Sequence, residues 1–210
     1  MITGYEQIYL DLVPRLARCD LAESAARLGL DVLPNGDVRA NFCGRQYVIS
    51  ATGVDPADGQ AVDVNCRSVL AYYILSPGRG EPGQSFLPLT RLTGMIAGQK
   101  SFDKGLMVRP LLREFGDDYG KFCSVANQLG GVLDPVATAG GEHCWTFPVL
   151  PRIPVRLIFY EADEEFPADI QILFERTATR FLEFECLAFL TGCFTKSLIT
   201  AARTLHTNSR

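Results

Sequence analysis

The sequence predicts an α+β fold: an antiparallel sheet of about five or six strands packed against several helices, with a buried apolar helix at the C-terminus. Three observations carry that expectation. Tight-turn signals at Asn35-Gly36 and Cys43-Gly44 separate short strand-like runs near the N-terminus. The runs "PVRLIFYE" and "DIQILFE", rich in β-branched and aromatic residues, flank an acidic stretch at 161–169. Residues 177–202 are apolar on nearly every helical face, through Phe181, Leu182, Phe184, Leu187, Phe189, Leu190, Phe194 and Leu198.

The remaining elements follow in chain order. Tyr5, Ile8, Tyr9, Leu12, Val13 and Leu16 recur at helical spacing, with Pro14 expected to kink or split that helix. Asp20 and Glu23 form a capping pattern ahead of a second helix, and Gly29 is its natural stop. An antiparallel meander of three strands is expected over about residues 30–51. Asp63 caps a helix running to about Ser76 that buries Val69, Leu70, Tyr73 and Ile74. "SPGRGEPGQS" reads as a loop. Between Leu111 and Leu129 apolar residues recur every three or four positions, predicting one or two helices stopped at Gly130-Gly131. "WTFPVL" reads as a further strand. A single domain over 1–202 and a short tail, 203–210, complete the organisation.

Composition excludes several functions. The 210 residues are 47% hydrophobic and 21% charged, with 13 Phe, enough to bury a core and too apolar for disorder. A formal net charge of −4, with no run of Lys or Arg, argues against nucleic-acid binding. The start, "MITGYEQIYLDLV", places Glu6 and Asp11 where a signal peptide is apolar, and no uncharged apolar stretch reaches about 18 residues. A cytoplasmic protein is expected. The seven cysteines, odd in number and widely spaced, read as free thiols in a reducing compartment.

No reactive constellation is complete. No Cys-x-x-Cys or His-x-x-x-His pair occurs. Cys186 and Cys193 share a helix face, but the helical rise separates them by about 10 Å, too far for one zinc ion. His143 and Cys144 are adjacent and point to opposite faces of an extended chain, so they do not form a nucleophile–base pair. In "GMIAGQKS", residues 94–101, Gln99 stands where a phosphate-binding loop needs its second glycine. Glu161, Asp163, Glu164, Glu165 and Asp169 lack the register and glycine of a calcium loop, and consecutive acids diverge in an extended segment. They read chiefly as a solvated hairpin loop, with Arg152, Arg156 and Arg176 near enough in sequence to neutralise some of them. Phe166, apolar among acids, reads as a plug pinning the loop to the core.

Residues 150–190, "LPRIPVRLIFYEADEEFPADIQILFERTATRFLEFECLAFL", resemble the domain of unknown function 3786 family of anaerobic bacteria and archaea. "GYEQIYLDLV", "GQSFLPLTRLTG" (83–94) and "LLREFGDDYGKFCSVANQLGG" (111–131) fit the same pattern, and "DEEFPA" (163–168) is its most specific piece. The resemblance implies a domain often fused to, or encoded beside, a four-cysteine iron–sulfur module like that of corrinoid iron–sulfur proteins. This chain has no four-cysteine run, so the resemblance implies no cluster of its own.

The expected function is that of a non-catalytic cofactor- or ligand-binding accessory protein working with anaerobic redox or corrinoid iron–sulfur machinery, the cofactor left open. The expected partner is an iron–sulfur or corrinoid protein, with no nucleic acid and no membrane. Should residues 143–145 and 161–169 enclose a pocket, His143, Arg156, Asp163 and Glu165 are its polar lining and Trp145 and Phe166 its walls. No catalytic or metal-ligating set is assigned. One alternative is a protein-interaction module, using an apolar surface near Phe86, Leu87 and Leu89. The other is an enzyme using Asp163, Glu164, Glu165 and Asp169 with a divalent cation.

Overall fold

The structure, a computed structural model, describes residues 3–92, 107–135 and 142–208, with 206–208 described by backbone alone. The stretch 94–101 lies outside the described residues. Nine strands and seven α-helices occur among the described residues, so the α+β class stands. The strands are divided between two antiparallel sheets rather than gathered in one. The chain divides into two compact units.

The first unit comprises Met1–Pro82, Val149–Ile153 and Thr177–Cys193. Its first helix, α1 (Gly4–Leu16), opens with a capping box in which Thr3 and Glu6 satisfy each other's backbone N–H. Pro14 lies inside α1 and does not split it: the helix runs through it to Leu16. Helix α2 (Leu21–Leu28) starts on Asp20, whose carboxylate accepts from the Glu23 N–H, and stops at Gly29, where φ is 75°.

A four-stranded meander follows: β1 (Asp31–Val32), β2 (Val38–Phe42), β3 (Arg45–Ser50) and β4 (Gly53–Pro56). The first turn differs from the sequence expectation. Val32 pairs with Val38, and the Gly36 N–H donates to the Leu33 carbonyl, so Pro34-Asn35 form the bend and Gly36 supplies the left-handed residue after it. Cys43-Gly44 is the two-residue turn expected, with φ of 52° and 77°. Strand β4 was not predicted. "GVDP" carries no strand pattern, and it is held from outside by the Val54 N–H donating 2.7 Å to the Tyr9 hydroxyl. Helix α3 (Val64–Leu75), capped by Asp63, is buried on nearly all sides.

The second unit comprises Gly83–Pro148, Pro154–Arg176 and Phe194–Arg210. Its sheet runs β5 (Phe86–Pro88), β9 (Asp169–Glu175), β8 (Ile153–Tyr160), β7 (Glu142–Leu150), β6 (Val132–Leu133). Strand β5 sits at the sheet edge, where Pro88 leaves no ladder donor missing on an inner strand. Phe86, Leu87 and Pro88 are therefore half-buried and Leu89 is buried, so this segment is not an exposed docking patch. Helix α4 (Leu89–Leu92) follows β5. Helices α5 (Arg109–Phe115) and α6 (Tyr119–Gln128) meet through Phe115 and Phe122, whose rings lie edge to face at 5.5 Å.

The last helix begins later than the apolar pattern predicts. A 3₁₀ turn, Ala178–Arg180, comes first, and α7 runs Phe184–Asn208, past the residue-202 boundary read from the sequence. The turn's Arg180 carbonyl lies so close to Gly78 that any side chain there would collide with it. Leu187, Leu190 and Leu198 are fully buried, while Glu185, Lys196 and Arg203 are exposed and Phe184 is half-buried, so α7 is not buried all round. By length and composition Phe184–Leu205 is long and apolar enough to cross a membrane, and 56% of its apolar window is buried inside the protein, as in a core helix.

Candidate functional site

Two places among the described residues present chemistry. One is the end of the five-stranded sheet that carries the acidic hairpin. The other is a cavity in the first unit.

Strand alternation sorts the residues of the sheet. On β8, Val155, Leu157 and Phe159 are buried while Arg156, Ile158 and Tyr160 are half-exposed. His143 and Trp145 of β7 and Phe159 of β8 lie on the same face of the sheet, against α6. The Tyr119 ring stacks on His143 at 3.8 Å and 19° and leans on Phe159 at 5.2 Å. Trp145 Nε1 donates to the Tyr119 hydroxyl at 3.2 Å. Phe122 closes the cluster, 6.1 Å from the Trp145 ring. His143 Nε2 donates to Glu161 Oε1 at 2.6 Å; the carboxylate only accepts, so the ring proton sits on Nε2. His143 is thus a strand residue packed on an aromatic ring, not part of a free loop. Burial pushes the Tyr119 hydroxyl up to about 12, the nearby Cys123 thiol adding to the shift.

Arg156 faces the other way. Its Nε donates to Thr146 Oγ1 at 3.3 Å, its Nη2 lies 3.6 Å from Asp134 Oδ2, and its guanidinium carbon sits 4.2 Å over the Phe86 ring. Cys144 shares this face, and burial pushes its thiol up. The structure therefore joins His143 to Trp145 through Tyr119 and separates both from Arg156.

Residues 161–167 are all exposed. Asp163 Oδ1 accepts from the backbone N–H of Glu165 at 2.8 Å and of Phe166 at 2.7 Å, and the Asp163 N–H donates to the Phe166 carbonyl at 2.9 Å. These three bonds brace the tip as a turn and use Asp163 structurally. Glu161 is engaged by His143, Asp169 accepts from the Ile170 N–H, and Glu164 and Glu165 reach into water. Phe166 is 65% exposed, so it does not plug the loop onto the core. The arginines expected to neutralise the acids go elsewhere: Arg152 pairs with Glu81 and Arg156 with Asp134. Among the described residues, no three His, Cys, Asp or Glu side chains converge as a metal-binding group.

The cavity, of about 600 Å³, is assembled from four segments of the first unit. Helix α1 supplies Ile8 and Arg15; the end of α3 and the residues after it supply Tyr72, Leu75, Ser76 and Pro77. The 3₁₀ turn and its exit supply Thr179 to Glu183, and the start of α7 supplies Glu185, Cys186 and Phe189. Its walls are apolar. Its four charged groups, Arg15, Arg180, Glu183 and Glu185, are exposed at the mouth and cancel in formal charge. Burial pushes the Cys186 thiol up to about 11, with Glu183 and Glu185 adding to the shift, so the thiol stays protonated at neutral pH. Burial likewise raises the Tyr72 hydroxyl.

The family model described as domain of unknown function, DUF3786, matches residues 20–197. The chain belongs to this family. No curated protein and no solved structure matches it. The "DEEFPA" segment that carried the resemblance is the braced, water-facing tip of the DUF3786 hairpin.

Sequence reasoning missed the cavity of this DUF3786 chain because its residues are scattered from Ile8 to Phe189. One signal was present. From Ser68 to the end of α3, Tyr72 and Leu75 are the half-exposed positions among buried neighbours, and a Tyr and a Leu left on the open side of a core helix mark a surface needing cover.

Proposed function

We propose that this DUF3786 protein is a non-catalytic, ligand-binding accessory protein of the cytoplasm of an anaerobe, working beside redox or corrinoid iron–sulfur proteins. The observation that carries the ligand-binding part is the cavity of about 600 Å³. That volume lies within the roughly 300–1,000 Å³ of sites that hold compact organic molecules. Apolar walls with a few polar groups at the mouth fit a flat or aliphatic body bearing one polar end. The charges at the mouth cancel, so the ligand is held by shape and burial more than by its charge. Cytoplasmic placement is supported by seven cysteines with no disulfide among them. The choice of redox and corrinoid partners is supported by the family resemblance.

The test adds flavin mononucleotide, haem or cobalamin, one at a time, to the purified full chain and follows absorbance through gel filtration together with the melting temperature. At least one should co-elute with the protein and raise its melting point. A ligand at about 100 times its Kd stabilises by about 2.7 kcal/mol. Leu75→Arg, which places a charge in the wall at a half-buried position, should abolish both effects. If none of the three is retained and none shifts melting, the reading is lost.

A second reading, a protein-interaction module, is favoured by one observation. Phe166 is 65% exposed on a turn braced by three hydrogen bonds, a rigid apolar projection from an acidic rim. Titrating a four-cysteine iron–sulfur protein against wild type and Phe166→Ser by calorimetry tests it. Equal affinity for the two chains rejects the reading.

A further inference from the structure

We propose that Cys66 and Cys193 are a dithiol pair that closes reversibly into a disulfide, cross-linking α3 to α7. Their sulfurs lie 2.9 Å apart, and neither cysteine is part of the cavity or of the acidic hairpin. A disulfide bond is about 2.05 Å long, so a relative shift of under about 1 Å joins them. Both are buried, Cys66 at 9% exposure and Cys193 at 5%, which admits a small oxidant and no protein oxidant. Cys66 lies in the first turn of α3, and Cys193 lies within the buried stripe of α7. The pair spans 127 positions of sequence, so only the folded chain brings it together.

The oxidant class is a hydroperoxide. The Cys66 sulfur, the more exposed, attacks the peroxide oxygen; the O–O bond breaks, and one water leaves as Cys66 becomes a sulfenic acid. The Cys193 sulfur then attacks the Cys66 sulfur; the S–O bond breaks, the S–S bond forms, and a second water leaves. Two thiols lose two electrons and two protons, and one hydrogen peroxide becomes two waters. Contact with Cys66 and burial push the Cys193 thiol up, so Cys193 is the poorer of the two for the first attack, and its place in the second step rests on its 2.9 Å contact with the Cys66 sulfur. A small dithiol reverses the bond. Helices α3 and α7 also supply Tyr72, Leu75, Cys186 and Phe189 to the cavity, so the cross-link fixes the spacing of two cavity walls.

The test treats the full chain with hydrogen peroxide under native conditions, then unfolds it in an alkylating agent and maps peptides by mass spectrometry. The expected product joins the Cys66 and Cys193 peptides, is lighter by two hydrogens, and disappears with dithiothreitol. Cys66→Ser and Cys193→Ser should each abolish it and leave the partner alkylated. Should either variant fail to fold, the wild-type map decides alone. Both cysteines alkylated at a peroxide dose that already oxidises the half-buried Cys19, or a cross-link running through Cys43 instead, overturns the proposal. The readout needs no bound ligand, so its failure leaves the cavity reading standing and its success does not depend on that reading.

Discussion

The acidic hairpin tip and the cavity are opposites in construction. The tip packs five carboxylates into nine consecutive positions, yet each is held by a separate hydrogen bond or points into water. The cavity has only four charged groups, drawn from three separate segments of the chain, and they meet at one mouth. Density of charge along a sequence is therefore a poor guide to convergence in space. Neighbours on an extended strand diverge by geometry, whereas groups from different elements are aimed by packing.

That contrast breaks first at the cavity's supporting helix. Leu187, fully buried on α7, should tolerate no charge: Leu187→Asp costs several kcal/mol and should leave no soluble, cooperatively melting protein. Phe184→Asp, at a half-buried position of the same helix, should be far milder. A similar melting loss for both would mean that α7 is enclosed all round.

The next test removes a hydroxyl. Tyr73 Oη donates to the Leu28 carbonyl at 3.0 Å and accepts from the Arg152 N–H at 3.1 Å, both within the first unit. Tyr73→Phe leaves those two backbone groups unsatisfied and should lower unfolding stability by about 1–3 kcal/mol in a urea titration. At the tip, Asp163→Ala removes two exposed acceptor bonds, and about 1 kcal/mol or less should be lost. Phe166→Ser, in water already, should change stability by less than about 0.5 kcal/mol. A large loss at Phe166 would restore the plug that the sequence suggested.

A pH series sharpens the comparison from the aromatic side. Tyr119 titrates near 10 when unfolded and near 12 when folded, because burial disfavours its phenolate. The folded state holds this proton more tightly, so its contribution is fully present below pH 10 and falls as pH rises from 10 through 12. Tyr119→Phe should flatten that part of the alkaline stability profile while leaving the acid limb unchanged. An unaltered alkaline slope would place the phenol in water.

Much of the architecture was legible because its signals are local. Asp20, Asp63 and Gly29 cap the helices assigned to them, and Cys43-Gly44 turns the chain as its φ angles require. The hairpin of β8 and β9 follows from alternation, and its register runs from Val155 opposite Phe174 to Tyr160 opposite Asp169. The failures are non-local. Strand β4 is held by Tyr9 from α1, β5 exists only because β9 offers it an edge, and the late start of α7 reflects the close approach of Arg180 to Gly78. Of the site residues read from sequence, His143 and Trp145 meet through Tyr119, Arg156 turns to the opposite face, Asp163 braces its own turn, and Glu165 and Phe166 face solvent.

By itself, the sequence determined the α+β class, the caps and turns, the apolar character of the last helix and the family to which the chain belongs. These are set by a residue's own backbone preferences and by repeat periods of two or of three to four. Only the tertiary structure decided that the acids disperse, that residues as distant as Ile8 and Phe189 wall one cavity, and that Cys66 touches Cys193. Such contacts join positions up to well over a hundred residues apart. Their geometry comes from how side chains fill a shared interior, which no local pattern encodes.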